Sequence, residues 1–420
     1  IQHSGIRNQE SGVGFGCGGR VGNVACSGSV AMATRIFDLD LAEPLPETIS
    51  LGGRDRLWLI AWRDSTPVSS VLLSPRPGTS ALPADALADA IESFLAEPSA
   101  THPVALRALP RVTVVICTRD RPDRLPIALD ALRVQSVRDF ELIVVDNAPK
   151  DDRTRRVVME HVPHARYLVE PVPGLPRARN TGLRAASGDI VAFTDDDCRP
   201  TCRWVESFAR SFAAEPRLGC VTGPILPLEL ETPAQEAMEA RGGFNRGFRR
   251  LLFTSESGEG PVHPVQAWRF GAGGSMALSR DCLERLGGFD EALWRSEDLD
   301  IFYRTLRAGY FLAFEPGATV HHRHLPRWDQ LARRLFHWGW GYQTYLDKIV
   351  RSDEEKYAER ARLEQRNWIS YQLRKRAIPA LRGAADLPVH LVALELAGGI
   401  AGLGGYARAQ AIAAKRARGR

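Results

Sequence analysis

Asp195, Asp196 and Asp197 stand side by side directly after the apolar run Ile190 to Thr194. Adjacent carboxylates repel, and some of them protonate unless a cation neutralises them. An oxygen-rich cluster of this kind suits Mg²⁺ or Mn²⁺, which in turn binds phosphate oxygens. The competing explanation is a solvated Asp-rich turn capping the helix that begins near Trp204. Two more polar clusters close apolar runs in the same way. Thr118 to Arg121 comes after Val112 to Cys117, and Asp146-Asn147 after Glu141 to Val145. Farther along, Ser296-Glu297-Asp298 and Asp300 mark a helix start, where acidic side chains favour the dipole. His321, His322 and His324 gather three of ten histidines into four residues. Solvation is the ordinary explanation of such a run.

The elements that carry these residues read as an α/β alternation. Val112 to Cys117, Glu141 to Asp146, Ala165 to Val169 and Ile190 to Thr194 are short β-branched or apolar runs. Between them, Leu125-Leu129-Leu132, Arg155 to Val162 and Leu175 to Ala186 have helical spacing, the last opened by Gly174. Strands apolar on both faces that alternate with helices predict a mostly parallel sheet covered on both sides. Ligands of such sheets bind beyond the carboxyl ends of the strands, where three polar clusters converge. Leu228 to Gln266 is polar and without periodicity, which predicts a long insertion or loop. Gly271 to Leu278, a helix at Glu297 to Leu306 and a strand at Tyr310 to Phe314 resume the pattern.

Upstream, Leu57 to Trp62 and Val68 to Leu73 predict two strands joined by Arg63 to Pro67, and Leu82 to Leu95 a helix. The expected division is a leader at 1–34, a small α+β unit at 35–105, the α/β domain at 110–325 and a helical basic extension at 326–420. Ile1 to Val30 is Gly/Ser-rich without an apolar block and does not resemble a signal peptide.

The chain has 420 residues, 44% hydrophobic and 25% charged, which excludes wholesale disorder and fibrous repeats. Seven irregularly spaced cysteines do not form a disulfide framework, so a reduced, cytoplasmic protein is expected. Net charge is +5, but Arg323 to Arg420 holds 19 Lys/Arg against 9 Asp/Glu. A basic tail on a near-neutral body points to an anionic partner. No nucleic-acid motif accompanies it, so nucleic acid is not the expected partner. Leu387 to Ala407 is apolar but carries His390, Glu395 and five glycines, which disfavours a transmembrane span. A segment lying on the inner face of a membrane, or one packed on the catalytic domain, are the two readings.

From Val112 to about His324 the chain resembles the family 2 glycosyltransferases, whose fold is GT-A, a Rossmann-like, mostly parallel sheet with helices on both faces. Val114 to Arg121, with Thr118 and Arg121-Pro122, is similar to the family's opening strand and nucleotide loop. Asp146-Asn147 with Asp151 resembles its second-strand motif, although Ala148-Pro149 replaces the usual Gly-Ser. Gly174 to Gly182 resembles the Ala-Arg-Asn-x-Gly helix start, and Asp195-Asp196-Asp197 the DxD motif. Gly287-Gly288-Phe289-Asp290 and Glu297-Asp298 are similar to the acceptor-side motifs. The resemblance rests on six motifs in order over about half the chain.

It implies an inverting, non-processive transfer of a sugar from a nucleoside-diphosphate sugar to a hydroxyl of a glycan or lipid-linked acceptor, with Mg²⁺ or Mn²⁺ as cofactor. Asp195 and Asp197 match metal-ligand positions. His322, with His321 as the alternative, sits at the offset of a further ligand. Thr118, Arg121, Asp146, Arg179 and Asp196 match donor-binding positions. For Arg179 the competing explanation is a surface helix arginine. Asp298 matches the general base and Asp300 is the fallback. Arg333 to Trp340 partly resembles a processive-synthase motif in which His337 replaces arginine, and Trp338 or Trp340 either stacks on an acceptor or packs in the core. The alternatives are a nucleotidyltransferase of similar fold, against which the lack of Gly and Lys in Thr118 to Pro122 speaks, and a non-catalytic sugar-nucleotide-binding protein.

Overall fold

The computed structural model describes residues 33–87, 91–92, 94, 109–240, 244, 246–255, 262–382 and 387–418. The expected leader lies almost wholly outside the described residues. The N-terminal unit consists of β1 (Thr34–Asp40), β2 (Thr48–Ser50), β3 (Arg56–Arg63), β4 (Thr66–Leu73) and β5 (Ala81–Pro83). β3 and β4 form the predicted hairpin. Asp64 and Ser65 at its tip have φ of 51° and 61°, the left-handed pair that matches the twist of a two-residue turn. β1 joins β3 in parallel, which the sequence pattern did not show. The helix expected from Leu82 does not start there, because Ala81–Pro83 pairs with β2 and Ala84–Leu87 is one 3₁₀ turn. Residues 88–90, 93 and 95 of that expectation lie outside the described residues. One face of β3 buries Leu57 and Leu59 against Leu87, Ile91 and Phe94. The other packs Ile60 and Trp62 on Leu226, and Arg54 and Arg56 pair with Glu231 and Glu236. The unit is thereby seated on the α/β domain.

That domain opens with β6 (Val112–Thr118), α1 (Pro126–Arg133), β7 (Glu141–Asn147), α2 (Arg153–His161), β8 (Arg166–Glu170), α3 (Leu175–Ala185) and β9 (Ile190–Asp195). After them come β10 (Cys198–Pro200), α4 (Trp204–Ala214), β11 (Leu218–Thr222), β12 (Ile225–Pro227), α5 (Pro233–Ala240), β13 (Leu251–Phe253), β14 (Ser275–Ser279), α6 (Arg280–Leu286), α7 (Glu297–Arg307), β15 (Phe311–Phe314) and β16 (Val320–His322). One sheet has the order β13-β15-β11-β14-β9-β6-β7-β8. β8, β7, β6 and β9 are parallel, β14 runs antiparallel between β9 and β11, and β15 is parallel to β11. Alternate residues of each central strand feed opposite cores. Val115, Val145 and Phe193 enter one, and Val114, Val144 and Ala192 the other. Both faces of the sheet are covered, as the continuous apolar runs require. Leu228 to Gln266 departs from the expectation of an irregular insertion. It contains α5, whose Ala234 and Met238 are buried, and the edge strand β13.

The C-terminal region consists of α8 (Trp328–Ser352), α9 (Glu355–Tyr371), a π-helical stretch Gln372–Ala377, the turn Ile378–Leu381, α10 (Val389–Gly402) and α11 (Gly405–Arg418). α10 lies along α8 at backbone distance. A Cβ on Gly398 would sit 2.0 Å from the Phe336 carbonyl oxygen, and one on Gly339 2.2 Å from that of Glu395. The glycines that weaken α10 as an isolated helix are therefore what lets it dock. Among the described residues no single helix is long and apolar enough to cross a membrane. α10 and Gly405–Ile412 pass that test together, by length and composition, across a 58° bend.

Candidate active site

The carboxyl ends of β6, β7 and β9 open onto one cleft of about 330 Å³, with α7 and α8 on its far side. The wall nearest the sheet is built by strand register. β6 pairs with β9 so that Thr118 lies just past the Cys117–Asp195 pair, and the Thr118 hydroxyl donates to Asp196 Oδ2 at 2.7 Å. Arg121, on the loop beyond, reaches Asp196 at 3.1 Å and Asp197 at 3.4 Å, and Arg124 reaches Asp197 at 3.2 Å. β10 turns back directly after the triplet and pairs Cys198 with His322 of β16. That antiparallel register brings His322 Nε2 to 3.5 Å from Asp197 Oδ1. Strand alternation sends His321 the other way, against the Trp62 ring at 5.8 Å. The choice between the two histidines is thus made by the strand. His322 Nδ1 lies 2.9 Å from His324 Nδ1, and His324 Nε2 lies 3.0 Å from Glu239, a chain that fixes the His322 ring.

Burial dominates the titration of this wall. It raises Asp195, and it raises Asp196 to about 7 with the help of the neighbouring Asp197 charge, against the opposing pull of Arg121 and Thr118. Burial also opposes ionisation of Asp197, but the facing guanidinium charges of Arg121, Arg334 and Arg124 help to hold that carboxyl below its ordinary value. The His322 ring is itself pushed down to about 3 by burial and so is neutral near pH 7. Carboxylate oxygens beside a neutral imidazole are a donor set that fits Mn²⁺, and the carboxylates alone fit Mg²⁺. Asp195, Asp197 and Cys198 present ligand atoms within 4.8 Å of one another. Burial keeps Cys198 a thiol, well above its ordinary pKa, which makes it a poor partner for a hard cation.

The opposite wall is organised around Arg179. Sequence matching suggested that this arginine faces the donor. The structure overturns the surface-helix alternative: Arg179 is buried at the lining of the cleft, with Nη1 2.8 Å from Glu297, and Nη2 3.2 Å from the Gly273 carbonyl and 3.5 Å from Asp195. Burial lifts Glu297 to about 8, against the opposing Arg179 charge. The Gly273 N–H in turn donates to Asp298 Oδ2 at 2.9 Å. One guanidinium thus links Asp195, at the end of β9, to Asp298, at the start of α7. Asp298 lines the cleft and Asp300 does not. Asp300 is buried against Arg304 at 2.7 Å and Lys348 at 2.6 Å. Asp146 is likewise buried beneath the site, accepting from the Tyr167 hydroxyl at 2.7 Å, and its neighbour Asn147 faces the cleft in its place.

Three cleft residues escaped assignment from the sequence. Trp294, Arg295 and Arg334 line it, yet Trp294 and Arg295 sit outside the matched motifs, and Arg334 lies in the partly matching stretch Arg333 to Trp340 with no role assigned to it. Among the described residues neither arginine has a carboxylate within 4 Å. Arg295 lies over the Trp294 ring at 4.6 Å. The i, i+4 spacing of Arg334 and Trp338 was the available signal, because it puts both on one face of α8. Trp338 reaches the cleft and packs edge-on to Phe244 at 5.5 Å, whereas Trp340 rests on Trp294 at 6.1 Å. The extension expected to begin at 326 therefore furnishes part of the site.

Comparison with known proteins bears on the family. The sequence model of glycosyl transferase family 2 matches residues 113–262, and that of glycosyl transferase family group 2 matches residues 190–398. The chain is 31% identical over 233 residues to the pre-mycofactocin glycosyltransferase of Mycobacterium tuberculosis, covering 54% of this chain and 46% of that protein. It is 27% identical over 239 residues to the hyaluronan synthase of Pasteurella multocida, covering 51% and 25%. It thus spans about half the length, or less, of these curated relatives. Among solved structures, a mannosyltransferase from Pyrobaculum calidifontis in complex with GDP-Man and Mn²⁺ aligns with a TM-score of 0.45 at 22% identity, over 77% of this chain and 80% of that one. On its motifs and on the two sequence models, which together run from residue 113 to 398, the chain belongs to the family 2 glycosyltransferases.

Proposed function

We propose that this protein is an inverting, non-processive glycosyltransferase that moves a sugar from a nucleoside-diphosphate donor to a hydroxyl of a glycan or lipid-linked acceptor. The observation that carries the reading is the pair of carboxylate sets facing each other across one cleft, Asp195 to Asp197 on one wall and Asp298 on the other. Asp195, Asp197 and His322 would hold Mn²⁺ or Mg²⁺. When bound there, the cation would supply stabilisation of negative charge on the departing diphosphate. Thr118 and Arg121 orient Asp196 toward the donor side, and Asn147 replaces Asp146 as the exposed polar group of the second strand. Asp298 takes the proton of the acceptor hydroxyl as its oxygen bonds to the anomeric carbon and the bond from that carbon to the diphosphate oxygen breaks. Its Oδ2 is fixed by Gly273, which aims the carboxylate through the backbone. Arg295 and Arg334 supply positive charge for the diphosphate, or for an anionic group of the acceptor. Trp294 and Trp338 offer ring faces to a sugar. This reading includes a cytoplasmic location at the inner face of a membrane.

Release of nucleoside diphosphate from a panel of nucleotide sugars, with Mn²⁺ and with excess chelator, tests the proposal. Metal-dependent release from at least one sugar is expected. Tight nucleotide binding without release or transfer under any condition would instead support a non-catalytic binding protein.

A further inference from the structure

The outward face of α10 is unlike an ordinary helical surface. Val389, Ala393, Leu394, Ala397, Ile400 and Leu403 are exposed, Ile400 by 56%, and His390 is the one polar side chain among the exposed residues of α10. The inward face is committed to protein, since Leu391, Val392 and Glu395 are buried and Gly398 meets Phe336 of α8. A surface helix normally turns polar residues outward, and one that is apolar all round belongs in a core or in lipid. The preceding segment extends the same surface with Leu373, Ile378 and Leu381, the last 74% exposed. Arg374, Lys375, Arg382 and Arg408 are interleaved with it and exposed. From Arg366 to Ile412 the sequence holds two acids against the basic residues, Glu395, which is buried, and Asp386, which lies outside the described residues.

We infer that this face binds an anionic lipid bilayer, lying flat with the α10 face and Leu381 among the acyl chains and the four cations at the phosphates. The inference rests on the membrane location included in the proposed function and does not depend on the catalytic chemistry. A second copy of the chain fits this face poorly, because a two-fold contact would set the same cations against each other. Spanning is disfavoured too, since α10 is fastened along α8 and the chain bends by 58° into α11.

Flotation of the full chain with phosphatidylcholine vesicles, with and without phosphatidylglycerol, tests it. Binding to the anionic vesicles is expected. Leu394→Glu with Ile400→Glu should weaken that binding at least about tenfold. Each of Arg374→Ala, Lys375→Ala and Arg382→Ala should weaken it about fivefold on anionic vesicles alone. Ile400→Ser is a milder polar change on the same face that should also weaken binding, and an unchanged unfolding temperature shows that the fold is kept. Three results would overturn the inference. One is the absence of flotation with anionic vesicles. Another is retention through an alkaline wash until detergent is added. The third is a concentration-dependent dimer that Ile400→Glu dissolves while flotation is absent.

Discussion

The two walls of the cleft carry similar numbers of charges but compensate them differently. On the sheet wall, Asp196 and Asp197 already have Thr118, Arg121 and Arg124 within hydrogen-bonding or ion-pairing reach. On the helical wall, Arg179 and Glu297 are a buried pair, while Asp298 among the described residues is held by the backbone N–H groups of Gly273 and Leu299. Arg295 and Arg334 meet no carboxylate among the described residues. Groups already matched within the protein set geometry, whereas groups left unmatched beside a cavity are those a ligand completes. Under the proposed function, this criterion assigns the setting of geometry to the sheet wall and the reading of substrate charge to the helical wall.

Asp197→Ala should break the contrast most severely. It removes a proposed metal ligand and leaves Arg121, Arg124 and His322 without their shared partner, so transfer should fall by at least about 10³-fold. Mn²⁺ binding measured by calorimetry should be lost as well. Retained Mn²⁺ affinity would mean that the sheet wall does not hold the metal. Asp298→Asn should lower kcat by about 10²–10⁴-fold while donor and Mn²⁺ affinities stay within a few-fold. Collapse of donor affinity would instead make Asp298 part of the binding apparatus. Arg334→Ala should raise the donor KM by about ten- to a hundredfold, the worth of a lost charged hydrogen bond. An unchanged KM with impaired acceptor saturation would move Arg334 to the acceptor. Asp300→Asn should change the chemistry least. It leaves Arg304 and Lys348 short of a partner and should cost about 3 kcal/mol of stability, read as a lower unfolding temperature, with kcat close to wild type below that temperature. A loss of kcat matching that of Asp298→Asn, in protein that remains folded, would place Asp300 in the reaction.

Legibility along the chain tracked the range of the interactions involved. The central strands were readable because burial on both faces demands uninterrupted apolar runs such as Val112 to Ile116. The hairpin at Asp64-Ser65 was readable for a similar local reason. β1 was not, since Thr34–Asp40 alternates weakly and takes its place only by pairing with β3. The stretch from Leu228 to Gln266 looked irregular because α5 is short and β13 is a three-residue edge strand held by β15. In α10 the glycines suggested a weak helix, yet each is a point where another backbone or a large ring comes close.

By itself the sequence determined the family, the strand ends that form the site and the acidic groups at both ends of the proposed reaction, because those depend on residue type and short spacing. Only the tertiary structure decided which member of each near-equivalent pair faces the cleft. His322 rather than His321, Asn147 rather than Asp146 and Asp298 rather than Asp300 are choices of strand parity and helix phase. One residue of shift reverses the direction of a side chain on a strand, and two residues carry it to the opposite face of a helix. The same limit hid the burial of Arg179 and the arrival of Arg334. Both depend on residues more than a hundred positions apart meeting across the cleft, and no local pattern records that meeting.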